Sequence, residues 1–381
     1  MGLKPGGRLL SLDVFRGLTV ALMIVVNNPG SWAHIYPPLR HAAWHGLTPT
    51  DLVFPFFLFI MGVSVALALG RHRESGAPAV VLYRKILRRT VVIFLLGLLL
   101  NGFPFGLAGP QSVGEAFANL RIMGGLQRIA LCYLLTALVA LRWPTWRGRA
   151  AVAGLLLVLY EPAMRLPLVA AGGGFELETN LVRLLDVRVL GPAHMYHVGE
   201  VPFDPEGLLS TLPAAVTSLL GLLVGGYLRR RSLNGLPPLV SAGAILTAGG
   251  LLLSLVEPLN KQLWTTSYTV LTGGLAVLAL ALCLHLVDGR GLRRGVDVWR
   301  VFGQNPLVAF LGSGLLARLL VLIRVPRAEG GSISLKGALY QEMLVPALGP
   351  LNGSLAFAVL LTGLWWALLW ALDRRGWHIK V

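Results

Sequence analysis

Apolar runs of about 20 residues recur from one end of this 381-residue chain to the other. A run of that length matches the roughly 30 Å of hydrocarbon that a helix must cross. Ten are read, at about 11–28, 50–70, 84–101, 121–141, 148–168, 207–228, 236–256, 264–287, 302–322 and 353–372. Backbone groups in lipid must bond within their own segment, and these runs are too long for barrel strands. The expected fold is therefore all-α, a polytopic helical bundle forming one membrane domain over residues 1–381. Composition agrees, because 55% of residues are hydrophobic and 13% charged, whereas soluble domains carry about 25% charged residues. The first run holds Asp13 and Arg16 and lacks a small-x-small cleavage site, so it is read as a span and not as a cleaved signal.

The formal net charge of +16 invites a nucleic-acid reading, but its distribution argues against one. With the N-terminus placed in the cytoplasm, 21 of the 33 lysines and arginines fall in cytoplasmic loops and tails, beginning with Lys4 and Arg8 and ending with Lys380. Nine fall on the opposite side, and Arg16, Arg128 and Arg318 lie inside spans. Such alternation is the positive-inside pattern, which puts both termini in the cytoplasm and makes the lipid bilayer the expected partner, not nucleic acid. Cys132 and Cys283 sit singly in apolar spans and form no disulfide or metal pattern.

The longest loop, 169–206, is exoplasmic in this topology. It carries a glycine run (Gly172 to Gly174), six acids and the pair His194/His197, and is expected to pack over the bundle as a lid. A second exoplasmic loop, 323–352, is expected to hold a short interfacial helix. No internal repeat of the kind that builds many transporters is visible.

Charges near the bilayer interior cost several kcal/mol and mark function by default. Asp13 and Arg16, at i and i+3, are expected to form a structural pair. Gln127 and Arg128 open a span with no acid nearby in sequence, so Arg128 needs a partner from another helix or an anionic ligand. In HAAWHGLTPTD, His41, Trp44, His45 and Asp51 gather ahead of the second span, with Asp51 in the first turn of the helix that a threonine caps. HxxxH and the His194/His197 pair lack a third ligand of suitable spacing, so no metal is expected. Asp204 and Pro205 read as a helix start, with Glu206 in its first turn. Asn260, Lys261, Gln262, Trp264, Ser267 and Tyr268 crowd another exoplasmic entrance, a mix of donors and aromatic faces that suits a sugar. An aromatic belt at the membrane interface would look similar.

The segments SLDVFRGLTVALMIVVNN, HAAWHGLTPTDLVFPFFLFIMG, GGLQRIALCY, FDPEGLL and NKQLWTTSYTV occur in that order. Together they resemble the heparan-α-glucosaminide N-acetyltransferase family of polytopic transmembrane acyltransferases. The resemblance implies transfer of an acetyl group from cytosolic acetyl-CoA to an amino sugar or other glycan on the far side of the membrane. It implies that His41, in the H-A-x-W segment, is the active-site histidine and that Asn27 works beside it. It also implies a homodimer. His45 stands where the lysosomal member has asparagine, which leaves its role open.

A histidine at that position can act as a general base or carry the acetyl group itself. Asn27 can hold the imidazole or bind an oxyanion. Arg84, Lys85, Arg88 and Arg89, before the third span, are candidates to collect the donor's phosphates, as Gln127 and Arg128 are for cofactor contact, although charge topology and anionic lipid contact are the stronger explanation for the first four. A transporter or flippase for a sugar or sugar-lipid is the alternative. The expected location is a bacterial inner membrane.

Overall fold

The computed structural model describes residues 9–74, 78–108, 112–165, 174–231, 236–327 and 330–379, with backbone alone at 71–74. Lys4, Arg8, Gly172, Gly173, Lys380 and the last three positions of the expected span 148–168 lie outside the described residues. The chain is helical almost throughout. Its elements are α1 (Leu10–Asn27), α2 (Val53–Glu74), α3 (Ala79–Gly102), α4 (Val113–Ala118), α5 (Gly125–Arg142), α6 (Trp146–Arg165) and α7 (Leu181–Leu190). The hairpin β1 (His197–Val198) and β2 (Val201–Pro202) precedes α8 (Thr211–Arg231), α9 (Leu236–Leu253) and α10 (Thr266–Cys283). Then come α11 (Val296–Gln304), α12 (Pro306–Leu322), the hairpin β3 (Arg324–Pro326) and β4 (Ser332–Ser334), the single turn α13 (Leu335–Gly337) and α14 (Val345–Arg374).

Among the described residues, seven helical segments are long and apolar enough to cross a membrane, and α11 with α12 makes an eighth if the bent pair counts as one span. This is an integral membrane protein. The expected spans at 84–101 and 148–168 do form helices, α3 and α6, but each carries more charge than that criterion admits: Arg84, Lys85, Arg88 and Arg89 on α3, and Arg147, Arg149, Glu161 and Arg165 on α6. The expected span at 302–322 is broken by 80° at Asn305. Pro306 supplies no N–H and pushes Asn305 out of the helical region, to φ −126° and ψ 53°. The buried Asn305 side chain then ties down the tail after α14, donating to the Trp377 carbonyl at 3.2 Å and accepting from the Ile379 N–H at 2.9 Å.

Three parallel helices, α2, α5 and α8, form the centre. Arg128, Cys132 and Thr136 on α5 meet Ser210, Thr211 and Ser218 in ascending order, and Phe59, Val63 and Gly70 on α2 meet Gly221, Gly225 and Arg229. Without a hydrophobic drive between helices in lipid, close backbone approach through small residues supplies the attraction. At Gly62 and Gly221 a Cβ would run into the carbonyls of Ser218 and Phe59, respectively, so glycine is required there. Helix α1 packs on α11 in the same manner, with the Asp13 carbonyl against Gly303. Arg16 is held by Asp13 at 3.1 Å, the Gly303 carbonyl at 3.1 Å and the Ser64 hydroxyl at 2.7 Å, as befits a structural pair.

The segment 174–210 packs over one end of the bundle. Its Phe203 and Val182 are fully buried against Tyr160 and Met164 of α6 and against Leu263. A clasp of ions fastens it: Arg121, ahead of α5, donates to both oxygens of buried Asp204 at 2.9 and 2.7 Å and to Glu206 at 2.5 Å. Helix α8 begins at Thr211, later than expected, because Asp204 caps the turn before it, accepting from the Glu206 N–H at 2.9 Å, and does not cap the helix itself. Among the described residues Asp186 on α7 accepts one bond, from the Leu208 N–H at 2.9 Å, while its other oxygen is buried without a partner. Burial first, and the nearby Asp204 charge second, push this carboxyl up to about 7, against the Leu208 bond and Arg128.

Two outcomes follow from this packing. Gly221→Leu should destabilise the protein by about 1–3 kcal/mol through overpacking, read as a lower thermal midpoint in detergent, and an unchanged midpoint would refute the close approach. Because the folded carboxyl of Asp186 binds its proton more tightly than the unfolded one, folding stability should fall as pH rises from 3.8 to about 7. Asp186→Asn should flatten that part of the curve of midpoint against pH. A variant with the wild-type slope would contradict the assignment.

Candidate active site

The chain leaves α1 and wanders over the bundle end before the turn Pro49–Leu52 leads into α2. Thr48 and Asp51 form a capping box there. One carboxylate oxygen of Asp51 accepts from the Thr48 N–H at 3.0 Å, the Thr48 hydroxyl at 3.0 Å and the Ala42 N–H at 3.1 Å. The other lies 2.7 Å from His41 Nδ1. The carboxylate is 1% exposed while the His41 side chain is 41% exposed, so a buried anchor holds an accessible ring. A carboxylate accepts only, so Nδ1 donates to Asp51, and in the neutral ring Nε2 then carries the lone pair.

Lys261 closes the site from a segment 220 residues away. Its Nζ lies 3.0 Å from His41 Nδ1, 3.4 Å from Nε2 and 3.6 Å from Asp51. Burial draws its ammonium below the usual lysine range, and the charges of Asp51 and Glu206 pull against that. A rigid turn presents it. The Asn260 side chain accepts from the Leu263 N–H at 2.8 Å, the Trp264 N–H reaches the Lys261 carbonyl at 3.2 Å, and the Thr265 N–H reaches the Asn260 carbonyl at 3.1 Å. Trp264 closes the turn at φ 56°, a left-handed value that an L-residue holds only when its surroundings impose it. Glu257 caps α10 with both oxygens, accepting from the Thr266 and Ser267 N–H groups at 3.0 and 2.8 Å, and burial pushes its carboxyl upward.

The other residues singled out in the sequence fall into three groups. His45 and Trp44 stand at the mouth: His45 Nδ1 is 3.3 Å from the Asn260 amide and Nε2 is 3.5 Å from Glu176, while the Trp44 indole donates to the Phe175 carbonyl at 2.9 Å. Trp264, Ser267 and Tyr268 are fully buried beneath it. The Tyr268 hydroxyl donates to the Asp51 carbonyl at 2.6 Å, and the Trp264 indole donates to Thr217 at 3.2 Å with Arg128 over its ring at 5.3 Å. Arg128 is fully buried and donates to the Gly207 carbonyl at 3.2 Å and to Ser210. Gln127 is buried, and among the described residues neither amide atom has a partner.

The third group lies apart. Asn27 ends α1, exposed, and among the described residues no hydrogen bond joins it to His41, whose ring meets Asp51 and Lys261. Arg84, Lys85, Arg88 and Arg89 are exposed on the first half of α3, with Arg89 over the Tyr133 ring at 4.8 Å. Glu176 and Arg121 escaped sequence reasoning, since each meets its partner across more than 80 intervening residues with no local pattern to announce it.

A family model described as heparan-alpha-glucosaminide N-acetyltransferase, catalytic, matches residues 8–233, a range that contains His41, Asp51, Arg128 and the Arg121 clasp but not Lys261. The heparan-alpha-glucosaminide N-acetyltransferase of Homo sapiens is 29% identical over 356 residues, covering 80% of this chain and 52% of its own length. That of Mus musculus is 28% identical over 364 residues, covering 82% and 54%. The chain thus spans about half the length of the curated relatives it matches. With more than half of its residues inside the family model, the chain belongs to the heparan-α-glucosaminide N-acetyltransferase family.

Proposed function

We propose that the protein is a transmembrane acetyltransferase that moves an acetyl group from cytosolic acetyl-CoA to a glucosamine-type amino sugar on the exoplasmic side. The observation that carries this reading is the His41–Asp51–Lys261 cluster: an accessible imidazole, oriented by a buried carboxylate at 2.7 Å, beside an ammonium at 3.0 Å. Family membership supports the acetyl transfer, and the relatives' names supply the glucosamine acceptor. The orientation rests on charge. Arg84 to Arg89, Arg142 to Arg149, Arg229 to Arg231 and Arg374 to Arg375 crowd the end away from His41, and positive charge favours the cytoplasm. The described helices are consistent with ten spans when α3 and α6 are counted, which returns both termini to that same side.

In the proposed reaction the acceptor amine attacks the thioester carbonyl carbon. His41 Nε2 takes the amine proton, and Asp51 stabilises the resulting imidazolium. The tetrahedral oxyanion forms beside Lys261, whose charge is worth more in a recessed site than in water. Collapse breaks the C–S bond, the imidazolium returns its proton to the leaving sulfur, and the products are the acetamide and free thiol. His45, Trp44, Glu176 and Asn260 line the approach for the sugar.

Incubating the purified protein with isotopically labelled acetyl-CoA and glucosamine tests this directly. Wild type should yield labelled N-acetylglucosamine, and His41→Ala at an unchanged thermal midpoint should lose about 10²–10⁴-fold in kcat. Lys261→Met should lose about 10²-fold in kcat with little change in the donor's KM. Full turnover by His41→Ala would sink the mechanism.

A further inference from the structure

The two histidines of the mouth are held in opposite ways. His41 gives its Nδ1 hydrogen to Asp51, which in the neutral ring leaves the lone pair on Nε2. His45 Nδ1 instead lies 3.3 Å from the side-chain nitrogen of Asn260. That amide is fixed in direction, because its oxygen already accepts from the Leu263 N–H at 2.8 Å. Asn260 therefore donates and His45 Nδ1 accepts, so the neutral ring carries its hydrogen on Nε2. This nitrogen faces a carboxylate oxygen of Glu176 at 3.5 Å. Consecutive residues, Asn260 and Lys261, thus contact His45 and His41 respectively, and both rings stand at one turn.

A ring whose lone pair is already taken is no second base; what it presents is an N–H directed at a carboxylate. A separation of 3.5 Å is longer than a hydrogen bond, so the contact orients Glu176 without using up its oxygens. The Glu176 side chain is 76% exposed, yet the backbone that carries it is anchored. The Trp44 indole donates to the neighbouring Phe175 carbonyl at 2.9 Å, and Trp44 packs edge-on against buried Phe203. The buried Asn180 side chain donates to the Glu176 and Leu177 carbonyls at 2.7 and 2.9 Å. An exposed carboxylate on an anchored turn is placed to meet a cation. Deeper in, the Lys261 ammonium, 3.0 Å from His41, repels one.

We propose that Glu176, positioned by His45, is the subsite that receives the acceptor's amino group in its ammonium form. The ammonium gives its proton to water at the mouth, leaving a neutral amine and a hydronium ion. The amine then advances to His41 as the free base, because a second cation is disfavoured beside Lys261. The assignment rests on the acetyltransferase reading and narrows its acceptor to a primary amine, since an uncharged hydroxyl gains little from Glu176.

Steady-state kinetics of the full chain in detergent test it, with glucosamine as acceptor and glucose, which has a hydroxyl in place of the amine, as competitive ligand. Glu176→Gln should raise the KM for glucosamine about fivefold and flatten its dependence on salt. It should leave kcat, the KM for acetyl-CoA and the inhibition constant of glucose unchanged. Glu178→Gln, an exposed acid two positions along, should stay within about twofold. His45→Phe should raise the same KM about threefold, His45→Gln, whose amide still donates, should not, and His45→Phe should add nothing once Glu176 is Gln. A Glu176→Gln enzyme with the wild-type KM overturns the proposal, as does an equal loss for glucosamine and glucose. Full additivity of the two substitutions removes His45 from it. A wild type that makes no N-acetylglucosamine overturns the acetyltransferase reading and this inference together, a result distinct from an active enzyme indifferent to Glu176.

Discussion

The buried carboxylate of Asp51 is the constraint around which this end of the molecule is built. It satisfies the start of a membrane helix, fixes the backbone of the preceding loop through Ala42, and orients the His41 ring, all with two oxygens. A charge at 1% exposure is tolerable only when it is this thoroughly bonded. Its own carbonyl is in turn anchored by the Tyr268 hydroxyl, which couples the head of α2 to α10. The geometry of the imidazole is therefore set by helix capping and packing, and holding it requires no separate scaffold.

The same economy connects the two ends of the bundle. Helices α2, α5 and α8 run parallel from the polar cluster to the arginine-rich end, and glycines at 62, 221 and 225 let α2 and α8 meet backbone to backbone. Intramembrane polar groups such as Thr136 and Ser218 bond to each other across the helices instead of facing lipid. Rigidity along this axis suits the proposed transfer, whose reactants come from opposite sides. The segment 174–210, clasped through Arg121 and packed on Phe203, shields the buried face of the site while leaving the His41 ring open.

Local patterns were readable in the sequence, and long-range ones were not. The threonine-to-aspartate cap before α2 and the Asp13–Arg16 pair follow from spacings of three residues, which fix proximity without tertiary knowledge. Lys261 was marked as a polar residue at a helix entrance, but its contact with His41 joins positions 220 apart. Trp264 and Tyr268 read as sugar-facing aromatics, or as an interfacial belt, whereas they are fully buried, because an indole N–H and a phenol with buried partners satisfy themselves inside the bundle. The break at Asn305 was hinted at by Pro306 yet lay hidden inside an unbroken apolar run.

In the proposed reaction one fold takes a donor from one side of a membrane and an acceptor from the other. Proteoliposomes of fixed orientation, with glucosamine trapped on the His41 side and labelled acetyl-CoA supplied only on the arginine side, measure it directly. Acetylglucosamine accumulating with the trapped acceptor is the predicted result. Product that forms only when both reactants share one side would contradict the account, however active the enzyme.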